Sequence, residues 1–144
     1  MPDESAAKRT AMLTQADIQQ LLSNPSADSR ALVGGKVADV YDGRIMSERE
    51  RQLADGILRV LAQDGEIAVR KSLAEHLQSN PDVPHDVAKR LATDVIEVAE
   101  PVLKNSDVLT TVDLIDIIRT QPTEAQIAVA KRRRVPEPVS DALA

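Results

Sequence analysis

The stretch that decides the fold is Asp82-Val-Pro-His-Asp-Val-Ala-Lys-Arg-Leu-Ala-Thr-Asp-Val-Ile-Glu-Val-Ala-Glu-Pro-Val-Leu-Lys-Asn-Ser106. Two short segments in it carry apolar side chains at helical spacing, and Asp94 separates them. Pro84 suits the first turn of the first segment, since an amide hydrogen at that position would have no partner within the helix. The stretch therefore predicts a helix hairpin.

The second segment of this hairpin contains Pro101. A proline in a helix interior costs about 3 kcal/mol, because it removes one hydrogen bond and crowds the preceding turn. The sequence leaves two alternatives: the helix starts late, with Pro101 near its first turn, or it is kinked at Pro101.

Motifs recur along the chain, and the starts of the predicted second helices lie about 30 residues apart. The matching motifs are Val83-Pro84-x-x-Val87-x-x-x-Leu91-Ala92 with Val135-Pro136-x-x-Val139-x-x-x-Leu143-Ala144, and Ile67-Ala68-Val69-x-Lys71 with Ile127-Ala128-Val129-x-Lys131. In addition, Asp64, Asp94 and Thr123 each precede the predicted second helix of a pair. Short helix pairs at a fixed period are typical of an α-solenoid, in which each pair buries its apolar face on its neighbours.

The predicted fold is all-α: a HEAT-like α-solenoid of antiparallel helix pairs with about eight or nine helices. Residues 1–13 form a flexible lead-in, and residues 14–144 form one helical-repeat domain. Its predicted parts are two N-terminal helices over 14–42, repeat units 47–78, 84–106 and 111–133, and a partial unit 137–144. Because the last unit lacks a second helix, we expect this chain to be part of a longer protein.

Helix caps and glycines mark the predicted boundaries. Capping boxes occur at Thr14–Asp17, Ser47–Glu50 and Thr110–Asp113, where a hydroxyl can accept a hydrogen bond from a first-turn amide. Gly34-Gly35 lies inside the predicted helix 28–42 and indicates either a close backbone crossing or a break.

Apolar spacing predicts which side chains face the core. The stripe in the helix that opens at Ser47 includes Val60, and Ile127 faces inward with Ala128 and Val129. Val112 is among the apolar residues of the helix that opens at Thr110.

The composition narrows the classes of function. The chain has 144 residues, no cysteine, and Tyr41 as its single aromatic residue. A core of Leu, Ile, Val and Ala suits close helix packing better than an enclosed ligand pocket. Without cysteine there are no disulfides, thiolate zinc sites or cysteine nucleophiles, which fits a cytoplasmic protein. No apolar run reaches the roughly 20 residues of a membrane span.

Several motifs together resemble a bacterial family known as domain of unknown function 2336. They are Leu73-Ala74-Glu75-x-Leu77, Val87-Ala88-x-x-Leu91-Ala92-x-Asp94, Val98-Ala99-x-Pro101-Val102-Leu103-x-x-Ser106, Asp113-Leu114 and Val139-Ser140-Asp141-Ala142-Leu143, with Leu13-Thr14, Pro25-Ser26, Arg30, Leu53-Ala54 and Ile57-Leu58. The resemblance runs from about residue 13 to the end. It implies a HEAT-like helical fold in a cytoplasmic bacterial protein and supplies no activity.

Neither histidine indicates catalysis. His85-Asp86 resembles the start of a phospho-accepting helix, but it lies in the first turn after Pro84, so we expect a solvent-facing residue and keep a phosphorelay role as the lesser alternative. His76 fits a boundary residue beside Leu73, and the two histidines do not have the spacing of a metal site. We predict no enzyme activity, no cofactor and no metal.

The candidate binding residues are four adjacent cations, Lys131, Arg132, Arg133 and Arg134. At the end of a predicted helix they would complement the negative end of its dipole. Arginine forks also suit bidentate contacts with phosphate or with an acidic partner. With no aromatic side chain to stack bases, and with a net charge of −5, the sequence disfavours nucleic acid but leaves backbone binding by this basic ridge as the alternative.

The leading hypothesis is therefore a protein-interaction module. It would bind an unidentified partner protein, or another domain of the same polypeptide, along the face of a short superhelix. Weak homodimerisation through the unpaired helix 137–144 is a further prediction, because an incomplete unit would leave apolar surface uncovered.

Overall fold

A computed structural model describes residues 26–144 as eight α-helices, and no strand occurs among these residues. The all-α prediction is thus confirmed. The predicted lead-in 1–13, the capping box Thr14–Asp17 and the first N-terminal helix lie outside the described residues.

The helices follow one another through short loops. In chain order they are α1 Ala27–Val40, α2 Glu48–Leu61, α3 Ile67–Leu77, α4 His85–Ala92, α5 Ile96–Asn105, α6 Thr111–Thr120, α7 Thr123–Ala130 and α8 Glu137–Leu143. None of the helices between residues 26 and 144 is long and apolar enough to cross a membrane.

The helices form two layers. In one layer α3 packs between α1 and α5, and α5 packs between α3 and α7. In the other layer lie α2, α4, α6 and α8, of which α4 packs on α5, and α6 packs on α7 and α8. Each helix pair therefore contacts mainly the pair before it and the pair after it, which is how a solenoid is built.

Aliphatic side chains fill the space between the layers. Ala54, Leu58, Leu91, Val98 and Leu103 are fully buried. Their spacing along each helix gives a single apolar stripe, and burying such a stripe stabilises short helices that would not persist alone in water.

The sole tyrosine lies in this core, and its hydroxyl reaches the layer that contains α2, α4, α6 and α8. Tyr41 is buried, and its hydroxyl donates a hydrogen bond to the carboxylate of Asp55 on α2. Burial and this carboxylate together raise the pKa of Tyr41 well above its ordinary value.

The glycine pair marks a close crossing of helices. Helix α1 continues through Gly34 and Gly35, so the alternative of a break is wrong. A Cβ atom on Gly35 would lie 2.9 Å from Nε2 of His76, and one on Gly34 would lie 3.1 Å from Cδ1 of Leu61. A side chain at either position would require Leu61 or His76 to shift, so the glycines suit this close approach of α1 to α2 and α3.

Pro101 lies inside its helix. Because α5 begins at Ile96, the alternative of a late start is wrong. The proline lacks the amide hydrogen that would otherwise bond to the carbonyl of Glu97. Glu97 is exposed, so water can bond to that carbonyl instead.

Some predicted core positions face solvent. Ile127 and Val60 are 50% and 69% exposed, so their assignment to the core was wrong, and Val112 is 75% exposed. In α7 the buried stripe is Ala125, Ala128 and Val129. Apolar character alone placed Ile127 inward, whereas its position beside the buried stripe of a short helix turns it away from the neighbouring layer.

Candidate functional site

The stack has two charged edges. We call the start edge the side where α3, α5 and α7 begin, and the end edge the side where these three helices end. The start edge contains loops 62–66, 93–95 and 121–122, and the end edge contains loops 78–84, 106–110 and 131–136.

At the start edge, arginines join successive helix pairs. The Arg30 guanidinium donates to both carboxylate oxygens of Asp64 at 2.6 and 3.2 Å. The Arg70 guanidinium donates in the same way to Asp94 at 2.7 and 3.1 Å, and also to the backbone carbonyl of Asp64 at 2.6 Å. All four side chains are less than a fifth exposed. The two aspartates that marked the repeat thus bind an arginine from the preceding unit.

The electrostatics of Asp64 reflect this pairing. Burial alone would raise its pKa, but hydrogen bonds from Arg30 and from the backbone amide of Glu66 outweigh burial and hold the pKa below its ordinary value. Asp64 therefore stays ionised, and the start edge carries compensated charge.

Further polar contacts join the helices of the layer that contains α2, α4, α6 and α8. Arg59 of α2 binds Asp86 of α4 at 2.9 Å, with both side chains about half exposed. Nε2 of His85 lies 2.6 Å from Oδ2 of Asp113 on α6, and the ammonium of Lys89 lies 3.7 Å from Oδ1 of the same residue. His85 is therefore more than the solvent-facing residue we expected, because it links α4 to the next pair.

Asp113 receives several hydrogen bonds at once. Its carboxylate accepts from the backbone amide of Thr110, which completes the predicted capping box, and it contacts His85. Burial would raise the pKa of Asp113, but these hydrogen bonds lower it below its ordinary value. Together these contacts provide a structural role for the His85–Asp113 pair, and the phosphorelay role of His85 stays a prediction.

The second histidine is also paired. Nδ1 of His76 lies 2.7 Å from Oδ1 of Asp39 on α1. No group of three or more potential metal ligands occurs among residues 26–144. The remaining candidate residues, those of the basic run, lie at the end edge.

The end edge contains the basic cleft, a depression of about 350 Å³ between the ends of α3, α5 and α7. Its lining residues are Ser79, Lys104, Asn105, Asp107, Arg132, Arg133 and Arg134. Four cations and one carboxylate line the cleft, in a chain whose overall net charge is −5. The cleft is thus a local site of positive charge on an acidic protein.

Arg132 has a structural role in the basic cleft. Its guanidinium donates to the backbone carbonyls of Leu103 at 2.5 Å and Ser106 at 2.6 Å, at the end of α5. Burial lowers the pKa of Arg132 from its ordinary value. The helix-dipole interpretation of the basic run therefore holds for this residue, although the helix end that Arg132 complements belongs to the preceding pair.

The other cations of the cleft are not used in this way. Within residues 26–144, no side chain or carbonyl forms a hydrogen bond or ion pair with the side chains of Lys104, Arg133 or Arg134. Arg133 and Arg134 are exposed, and Lys104 is partly buried. Lys131, the remaining residue of the predicted basic run, is exposed but does not line the cleft.

Sequence reasoning missed Lys104. It lies in the last turn of α5, about 30 residues before Arg134, which is one repeat. Stacking places equivalent positions of successive units side by side, and this spacing was the signal that could have found it. Asn105 contributes to the same wall, and its amide donates to Oε1 of Gln78 at 2.7 Å, which ties the ends of α3 and α5 together.

Other depressions carry mixed charge. One of about 470 Å³ near Tyr41 and Asp55 is lined by Arg44, which binds Asp42, and by Arg59, which binds Asp86. Two at the start edge, of about 310 and 400 Å³, meet at Thr93 and Asp94. Since most charges there are already paired, the basic cleft is the better candidate for binding.

Comparisons with known proteins give one match. The family model described as "Uncharacterised protein conserved in bacteria (DUF2336)" matches residues 98–144, from α5 to α8. This is the family that the sequence motifs resemble, so the resemblance is confirmed over that third of the chain. Neither the curated proteins nor the solved structures gave a match. The matched region includes every cation of the basic cleft.

Proposed function

We propose that this domain is a protein-interaction module that binds an acidic segment of a partner protein, or of another domain of the same polypeptide, in the basic cleft. The observation that carries the proposal is the grouping of Lys104, Arg133 and Arg134 around one depression, without partners among residues 26–144. Cations that have no structural partner are available for an external anion.

The geometry favours recognition over catalysis. The cleft contains no histidine, and Asp107 is its single carboxylate. General acid and base catalysis is most often carried out by a positioned histidine or by carboxylates. Arginines in a shallow cleft instead suit complementary charge on a partner, and arginine is enriched at protein interfaces.

A protein partner fits better than a nucleic acid. Affinity for duplex nucleic acid comes largely from neutralising several phosphates at once, whereas the cleft offers three cations without partners among residues 26–144. The overall charge of −5 would repel a long polyanion, but a short acidic segment can bind locally.

The test is partner capture with a matched pair of variants. One carries Arg133→Glu with Arg134→Glu, and the control carries Lys36→Glu with Lys71→Glu, two exposed cations on α1 and α3. Both variants change the net charge equally. Crosslinking in cells of a bacterium that encodes the protein, followed by mass spectrometry, should recover a partner with the native chain and the control, and lose it with the first variant.

Two results would contradict the proposal. Equal loss of the partner in both variants would mean that only total charge matters. Salt-sensitive gel-shift of duplex DNA by the native chain, abolished by the Arg133 and Arg134 changes, would instead support the alternative of backbone binding.

A further inference from the structure

We propose that the anion bound in the basic cleft is a phosphate monoester on a side chain of the partner, so that phosphorylation controls docking. This inference rests on the proposed function, since it specifies the chemistry of the same site. It goes further because it makes binding conditional on a modification of the partner.

The number and type of cations match a phosphate. Lys104 projects from the end of α5, while Arg133 and Arg134 come from the loop that follows α7. A phosphate monoester carries about −1.5 to −2 charges at neutral pH and presents three strong acceptor oxygens. A carboxylate has one charge and two oxygens, so it would leave part of this positive charge uncompensated. Two guanidinium forks and one ammonium suit three oxygens.

The fold restricts where these cations can go. Arg132, immediately before the two arginines, is anchored on the carbonyls of Leu103 and Ser106. This contact fixes the start of the loop against the end of α5, where Lys104 lies. We assign Arg132 as a positioning residue, because both of its terminal nitrogens donate to carbonyls at the end of α5 and it presents Arg133 and Arg134 next to Lys104.

Asp107 is the opposing charge in the cleft. It attracts Arg132, the cation already engaged by α5, and it lies on the loop that follows that helix. An anion in the cleft must therefore be attracted strongly enough to offset repulsion by Asp107. Asp107 repels a dianion as well as a single carboxylate, so it does not select between them, and removing its charge predicts that Asp107→Asn tightens binding.

The experiment uses peptide libraries as probes. Each 12-residue library has phosphoserine, phosphothreonine or phosphotyrosine fixed at its centre, and the matched libraries have glutamate or serine there. Binding to the whole chain is measured by fluorescence anisotropy. At least one phosphorylated library should bind at least tenfold more tightly than the glutamate library, and inorganic phosphate should compete.

Variants locate the site. Arg133→Gln with Arg134→Gln should reduce phosphopeptide affinity at least tenfold, Lys104→Gln several-fold, and the control Lys36→Gln with Lys71→Gln not measurably. Arg132→Lys should weaken binding while leaving the peptide preference unchanged, because lysine can satisfy one carbonyl but cannot span both. Helical content by circular dichroism confirms that each variant is folded.

The outcomes separate the two proposals. Equal affinity for the glutamate and phosphorylated libraries, lost in the double arginine variant, overturns the phosphate inference and leaves the acidic-segment function standing. No binding to any library, with a partner still captured through Arg133 and Arg134 in cells, also overturns the phosphate inference alone. Tighter binding of single-stranded or duplex nucleic acid than of every library overturns both.

Discussion

The start edge and the end edge of the stack both contain arginines, but these arginines have different roles. At the start edge, Arg30 and Arg70 lie between helix pairs, and each binds an aspartate that is almost buried. At the end edge, Arg133 and Arg134 lie on the surface without a partner among residues 26–144. The presence of an arginine therefore does not by itself indicate its role. The role depends on whether a carboxylate or carbonyl lies within reach of the guanidinium.

The difference has an energetic basis. An arginine whose fork is satisfied by a carboxylate in a sheltered site costs much free energy to remove, because the carboxylate is left behind without its counter-charge. An exposed arginine costs almost nothing to remove, since water solvates it in every state. We therefore expect substitutions of the paired arginines at the start edge to lower stability most. Substitutions of the proposed binding residues Arg133 and Arg134 should lower it least.

The largest expected effect is at the start edge. Arg70→Met should lower the free energy of unfolding by roughly 2–4 kcal/mol, because Asp94 and the carbonyl of Asp64 both lose their donor. Urea unfolding monitored by circular dichroism measures this change. The control Arg59→Met removes an exposed pair and should cost distinctly less than Arg70→Met. Equal costs would show that burial of the pair is unimportant.

The next effect is at the end edge and distinguishes adjacent arginines. Arg132→Met should cost about 1–3 kcal/mol, because the carbonyls of Leu103 and Ser106 lose a charged donor at a half-buried site. Arg133→Met, one residue later, should change stability by less than about 0.5 kcal/mol. The same urea titration compares them. A similar cost for both variants would contradict the division of labour within the basic run.

A smaller effect concerns acid stability at the start edge. The pKa of Asp64 is lower in the folded protein than its ordinary value, so its ionised form stabilises the fold above about pH 4 and this contribution is lost as pH falls through the folded pKa. Arg30→Gln should raise that pKa, as followed by NMR titration of the carboxyl carbon. In the same variant the pKa of Asp86, which Arg59 lowers, should not move. An unchanged Asp64 titration would mean that Arg30 does not set it.

The smallest expected effect on stability belongs to the proposed binding residues. Arg133→Gln with Arg134→Gln should leave the midpoint of thermal unfolding within about 2 °C of the native value, which is the shift expected from roughly half a kcal/mol in a domain of this size. Removing two like charges that lie side by side can even stabilise slightly. A marked loss of stability would indicate that these side chains have structural partners after all.

Much of the fold was predictable because its signals are local. The capping box at Thr110–Asp113 and the stripe in α4 depend on residues within one or two turns of each other. Because these residues are close together in the sequence, the spacing of apolar side chains and caps is enough to identify the helices, although packing is what stabilises them.

The errors have a common cause in packing between helices. Ile127 was assigned to the core although Ala125 occupies the buried position, and Val60 was assigned to the apolar stripe of α2 although it faces solvent. In short helices one turn offers few apolar positions, so the sequence does not decide which face meets the neighbouring helix. The neighbour itself selects it, through the space that it leaves.

By itself the sequence determined an all-helical chain of repeated pairs, the positions of most helix starts, and the existence of a basic run. Only the tertiary structure decided that Arg132 caps the preceding pair, that Arg70 binds Asp94, and that Lys104 joins Arg133 and Arg134. The reason is distance along the chain. Hydrogen bonds within a helix link residues four apart, whereas these contacts link residues about 25–30 apart, which meet only when successive pairs stack.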